Sequence, residues 1–94
     1  MLIVTTDRLS AFDVVFDQPI PDKGKILTSI ANYWFNKTDH IIQNHLSSIG
    51  LEDVLSKEEA EALHGRAIVV KKLKPIAIEA VVRGYLIGSG WKEY

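Results

Sequence analysis

The side chains best suited to chemistry gather near the C-terminal end. Glu79 and Arg83 stand four positions apart, and Ser89 follows between Gly88 and Gly90. In an extended segment over 76–83, Ile76, Ile78, Ala80 and Val82 take one face, and Ala77, Glu79, Val81 and Arg83 the other. Arginine's planar fork meets a carboxylate or phosphate at two points. A serine flanked by glycines offers a hydroxyl and closely approachable backbone N–H groups, which suits an anion. The plainer reading is a Glu79–Arg83 salt bridge beside an ordinary glycine turn. The glycine spacing fits neither a Walker loop nor a dinucleotide fingerprint.

A second group is cationic. Lys71, Lys72 and Lys74 surround the end of an apolar run just before Pro75. A lysine there can reach into a cleft towards nucleotide phosphate, or guard a solvated strand edge against pairing. Composition favours guarding for Lys72 and Lys74 and leaves Lys71 open. A third group, Asp7 to Asp13 with Asp22 to Lys25, mixes carboxylates, cations and the Ser10 hydroxyl. These stretches could bind a small charged amino acid or phosphate, or be two solvated loops, which composition alone favours. No spacing rule supports Asp7 and Asp13 as a metal pair.

Composition narrows the classes. The chain has 94 residues, 47% hydrophobic, so it is a foldable segment of at most one domain. Eleven basic and twelve acidic residues leave a net charge of -1, which argues against a general binder of nucleic acid or membrane surfaces. Without cysteine there is no disulfide framework, thiolate zinc site or cysteine nucleophile. His40, His45 and His64 are scattered and read as surface or capping residues. No apolar stretch nears the roughly 20 residues of a membrane span. The expected setting is the cytoplasm.

The elements that must position these groups follow from periodicity. Leu2 to Thr6 and Val14 to Phe16 read as extended, and Asp7 to Asp13 as loop. Ile26, Ile30 and Trp34, with Leu27, Ala31 and Phe35, predict a helix from about Lys25 to Lys37 with one broad buried stripe. Asp22 is its candidate start signal, and Thr28 and Asn32 lie off the stripe. Asp39 to Gln43 is an expected strand. Ser56 with Glu59 makes a capping box, opening a short helix that closes near His64, with Gly65 as left-handed cap. Ala67 to Leu73 is an expected strand, and the glycine-punctuated tail could begin a helix. Both ends look cut, which suggests a piece of a larger protein.

Ile78 to Tyr94, with Val82-Arg83-Gly84-Tyr85-Leu86-Ile87-Gly88-Ser89-Gly90-Trp91 at its centre, resembles a signature of the SAICAR synthetase family. Thr6-Asp7-Arg8-Leu9-Ser10-Ala11-Phe12-Asp13 resembles that family's early Asp-Arg-Ser-Ala-Phe-Asp loop. Asp22 to Leu27, followed by Asn32-Tyr33-Trp34-Phe35, resembles its next segment. The three blocks run in order along nearly the whole chain. Ala77 stands where the family usually has proline, and Ile87 where it has threonine or alanine.

The resemblance implies an α+β fold: a small antiparallel-sheet lobe with one main helix and a hinge, part of a two-lobed ATP-grasp-like cleft. Residues 1–94 would be one N-terminal segment without internal boundary. It implies an ATP-dependent ligase of purine biosynthesis that joins L-aspartate to carboxyaminoimidazole ribonucleotide. Arg83 and Ser89 would hold the ribonucleotide, and Ser10 and Asp13 would meet aspartate or the imidazole substrate. Lys71, the backbone through Lys72, Leu73, Lys74 and Pro75, and Glu79 would meet ATP. Magnesium ligands are expected in a downstream acidic motif, and a phosphate-covering hairpin upstream. Partners would be these small molecules, with a homo-oligomer left open. The alternative is a non-catalytic nucleotide-binding or structural fragment.

Overall fold

The computed structural model describes residues 1–94. Its elements are β1 (Leu2–Val4), β2 (Ser10–Ala11), β3 (Val14–Val15), α1 (Lys23–Lys37), a single 3-10 turn (Leu51–Asp53), α2 (Lys57–Ala62), β4 (Ala67–Val69) and α3 (Ser89–Glu93). The expected α+β class is found, with the strands in two separate antiparallel pairs. No helix is long and apolar enough to cross a membrane.

β1 and β4 are short runs of aliphatic residues, which pack well on a pleated surface. They pair in the register Leu2↔Val69, Ile3↔Ile68 and Val4↔Ala67. Beyond the ladder, Met1 and Val70 exchange two further bonds of 2.8 Å, and Thr5 N–H donates to the Arg66 carbonyl at 2.8 Å. Ala67, Val69 and Val70 form the buried apolar core with Ala60 of α2. The expected strand to Leu73 stops short: Val70 makes one isolated bridge to Leu46, and Lys71 N–H donates to the His45 carbonyl at 2.8 Å.

β2 and β3 turn part of the expected loop into a hairpin, with Ser10 opposite Val15 and Ala11 opposite Val14. Phe12 and Asp13 form its two-residue turn, at φ of 51° and 62°. Two left-handed residues in succession match the twist of a hairpin, a place usually taken by Asn-Gly. Here a phenylalanine occupies the first position, its ring fully exposed.

α1 starts two residues before the expected Lys25. Asp22 precedes it at φ 65° and makes no side-chain cap bond. The cap comes instead from Asp7, whose Oδ1 accepts the Gly24 N–H at 2.8 Å. The expected buried stripe is also displaced. Gly24 and Thr28 are the buried residues of α1. Ile26, Ile30 and Trp34 are 57%, 51% and 54% exposed. Small Gly24 lets the helix start close against Thr5, where a Cβ would run into the Thr5 carbonyl oxygen. That approach turns Thr28 and Asn32 towards Ile3 and Ile68 of the sheet, beside Leu27, Ala31 and Phe35. The narrow two-stranded sheet leaves the Ile26–Trp34 side uncovered.

α2 forms as its capping box predicts. Ser56 Oγ accepts the Glu59 N–H at 3.2 Å and donates to Glu59 Oε1 at 3.0 Å. The helix ends at Ala62 and Gly65 sits at φ 79°. Two expected strands are absent. Residues 39–43 form turns that trail from α1, with Ile41 and Ile42 N–H both directed at the Thr38 carbonyl. Residues 76–83 are exposed and without regular structure. An alternating segment becomes a strand only beside a partner, and no other strand of the chain lies next to this one.

Candidate functional site

Arg83 and Ser89 are brought together by the turn that precedes α3. Gly88, at φ 60°, turns the chain into α3, so Ser89 opens that helix and faces back along the preceding loop. Arg83 Nη2 donates to Ser89 Oγ at 2.8 Å. Gly90 leaves the space Arg83 needs, since a Cβ there would lie 3.0 Å from Nε and 3.2 Å from Cδ. These residues line an open cleft of about 640 Å³ that also receives Glu79 and Glu93. Glu79 and Arg83 form no salt bridge, so the guanidinium edge not bonded to Ser89 stays available to an anion. Glu93 is a carboxylate of this cleft that sequence reasoning missed. Its place one turn after Ser89 was the signal.

Lys71 to Pro75 lie elsewhere, as an exposed, irregular stretch leaving the sheet. Lys71 and Leu73 line a separate hollow of about 500 Å³ with Phe35, Thr38 and His45. The backbone groups of Lys72, Leu73 and Lys74 make no hydrogen bond within the chain. A free run of N–H and C=O groups fits the polar edge of an adenine. Ser10 and Asp13 sit on the hairpin, and neither lines the Arg83–Ser89 cleft. No three His, Asp or Glu side chains converge to hold a metal ion.

The tightest polar cluster involves two residues to which the sequence assigned no joint role. Asp7 Oδ1 accepts from Arg66 Nη1 at 2.8 Å, and Oδ2 from Arg66 Nη2 at 3.1 Å. Oδ1 also takes the Gly24 N–H at 2.8 Å, and Oδ2 the Asp22 N–H at 3.2 Å. The Arg66 hydrogen bond, followed by the Gly24 N–H, lowers the Asp7 carboxyl from 3.8 to about 2, against a smaller opposing effect of burial. The same bond raises Arg66. Only long-range contact joins these groups, so no local pattern could have paired them.

The structure is thus an α+β unit in which a guanidinium and a hydroxyl converge, with two carboxylates, on an open cleft. The family model for SAICAR synthetase matches residues 1–94, and the chain belongs to that family. It is 62% identical over all 94 residues to a phosphoribosylaminoimidazole-succinocarboxamide synthase of Cupriavidus taiwanensis, covering 31% of that protein. It is 60% identical to the synthase of the same name from Neisseria meningitidis serogroup B, covering 33% of it. Among solved structures it resembles the SAICAR synthase from Saccharomyces cerevisiae complexed with SAICAR. The TM-score is 0.85 at 39% identity, over 99% of this chain and 34% of that one. The chain thus spans about a third of the length of the relatives it matches.

Proposed function

We propose that residues 1–94 act as the small ATP-binding lobe and hinge of a two-lobed, ATP-grasp-like SAICAR synthetase. The whole enzyme joins L-aspartate to carboxyaminoimidazole ribonucleotide and releases SAICAR, ADP and phosphate. Arg83 and Ser89 hold the ribonucleotide. The free backbone edge at Lys72 to Lys74, with Lys71, Pro75 and Glu79, receives ATP. Ser10 and Asp13 meet aspartate or the imidazole. The observation that carries this reading is the Arg83–Ser89 pair, 2.8 Å apart in a cleft with Glu79. Both bacterial relatives are synthases, which favours the enzyme over a non-catalytic fragment.

The chemistry asks for positioning and charge neutralisation. A carboxylate is a poor electrophile. Transfer of a phosphoryl group from ATP to the imidazole carboxylate gives an acyl phosphate and ADP. The aspartate amine then forms the C–N bond, phosphate leaves, and the amine gives up a proton. Arg83 fixes the ribonucleotide's anionic end and so aligns its carboxylate with both reactants. Magnesium supplies charge neutralisation for ATP. The 94 residues bring no three such ligands together, so the residues that would hold it lie elsewhere in the full-length protein.

The test is phosphate release by the purified full-length protein, with each substrate omitted in turn. Release that requires ATP, L-aspartate and the ribonucleotide together supports the ligase. Release independent of aspartate, or none, overturns it.

A further inference from the structure

Asp7 is bonded on both carboxylate oxygens, and its partners lie on two distant pieces of the chain, Arg66 and the 22–24 stretch. Arg66 stands at the entrance to β4, the strand that runs on towards Lys71. Asp22 and Gly24 flank the start of α1. The Asp7 carbonyl accepts the Ile20 N–H at 2.9 Å, which closes the stem of the β2–β3 hairpin, and Leu9 accepts from Phe16 at 2.9 Å within it. The hairpin has no extensive packing against any other element. Its direction in space is therefore set at its stem, where Asp7 sits.

We propose that Asp7 is a positioning residue, which holds the hairpin bearing Ser10 and Asp13 at a fixed angle to the strand leading into Lys71–Pro75. This inference rests on the ligase reading above. Loss of the carboxylate frees the hairpin's stem from Arg66 and from the start of α1, while the hairpin's own backbone bonds and the sheet persist. β1 and β4 keep their ladder, and Thr5 N–H still reaches the Arg66 carbonyl through backbone alone. Asp7→Asn keeps the size and removes one acceptor. Its amide then faces either the Gly24 N–H or the Asp22 N–H, in each case with an Arg66 N–H beside it, so donor meets donor. Arg66→Lys keeps the charge and loses the second point of attachment.

The experiment compares the full-length wild type with Asp7→Asn and Arg66→Lys. Steady-state constants are measured for each of the three substrates, and amide exchange is followed by mass spectrometry. In Asp7→Asn, kcat/KM for aspartate or for the ribonucleotide falls about ten- to a hundredfold, the scale of a small misplacement near reacting atoms. KM for ATP stays within about twofold of wild type. Arg66→Lys shifts the same constant in the same direction by less. Exchange quickens at Asp22 and Gly24, whose N–H groups the carboxylate accepts, while Ile3 and Ile68 keep their protection. Unchanged exchange at Asp22 and Gly24 overturns the proposal. So does an equal loss for all three substrates with a lowered melting temperature, since that marks general destabilisation. A wild type without aspartate-dependent phosphate release instead removes the ligase reading. The exchange data then still decide whether Asp7 holds the hairpin. Should Asp7→Asn fail to fold, Arg66→Lys carries both measurements.

Discussion

Arg66 reaches across 59 positions of sequence to grip both carboxylate oxygens of Asp7, Nη1 to Oδ1 at 2.8 Å and Nη2 to Oδ2 at 3.1 Å. The two side chains are only 18% and 19% exposed, so solvent screens the pair less than a surface ion pair.

This pair gives a pH dependence of defined sign. The Asp7 carboxyl is lowered from 3.8 to about 2, so the unfolded chain takes up its proton first as the solution is acidified. The stabilisation is complete above about pH 4 and is lost as the pH falls towards 2. Other carboxylates also titrate there, so the comparison with Asp7→Asn isolates the pair. The gap in urea midpoint between wild type and variant should close from pH 5 to about pH 2. A gap constant over that range would show that the bonds to Asp7 do not depend on its charge.

Arg83→Lys separates geometry from charge. Lysine keeps the positive charge but cannot both reach Ser89 and present a flat fork. A hydrogen bond to a charged group contributes roughly 1.5–3 kcal/mol, so ribonucleotide binding to the full-length enzyme should weaken by about one to two orders of magnitude. ATP affinity should hold, and so should the melting temperature, because Arg83 is exposed and makes no ion pair in the fold. Calorimetric titration of each ligand distinguishes these results. Equal weakening for both would place Arg83 outside the ribonucleotide site.

Gly24→Ala tests the close approach of α1 to Thr5. In an open helix this change stabilises, by up to about 1 kcal/mol. Here the new methyl meets the Thr5 carbonyl and comes within 3.0 Å of Arg66 Nη1. The sign should reverse, to a loss of about 1–3 kcal/mol in urea unfolding. A stabilised variant would mean that the helix start has room to move away.

The 94-residue chain by itself should show strongly uneven amide exchange. Beyond Lys71, no backbone N–H up to Gly84 has a partner, and the later residues have only local bonds such as Lys92 to Gly88. Residues 72–94 should exchange almost at once, while Ile3, Ile68 and Val70 persist. Protection after Gly84 equal to that of Ile68 and Val70 would contradict this order of stability.

What could be read from sequence was local. Ser56, Glu59 and Gly65 act within a few positions of one another, and α2 formed where they predict it. The 3.6-residue period likewise located α1. It did not tell which side would be covered: Gly24 and Thr28 are buried, while Leu27, Ile26, Ile30 and Trp34 all stay exposed. The choice was made by Gly24 and by the width of the sheet. Alternation over 76–83 named two faces but could not supply a neighbouring strand. The motif at 82–91 singled out Arg83 and Ser89, which the structure brings into contact through the turn at Gly88. The face that alternation gave to Glu79 and Arg83 does not form, because 76–83 is not a strand. Asp7 as a helix cap was illegible, since its partners lie beyond any local window.

Leu2 faces Val69 across the ladder, so the first strand emerges from the ribosome long before its mate exists. At ordinary translation rates the wait is roughly three to thirteen seconds. During it, Thr28 and Phe35 of the main helix, which lie towards Ile3 and Ile68, have already been made, and the sheet against which that helix rests has not closed. A nascent chain in that condition is a natural client for a holding chaperone. The demand should end once residues as far as Val70 have cleared the exit tunnel, when Met1 and Val70 can lock the sheet.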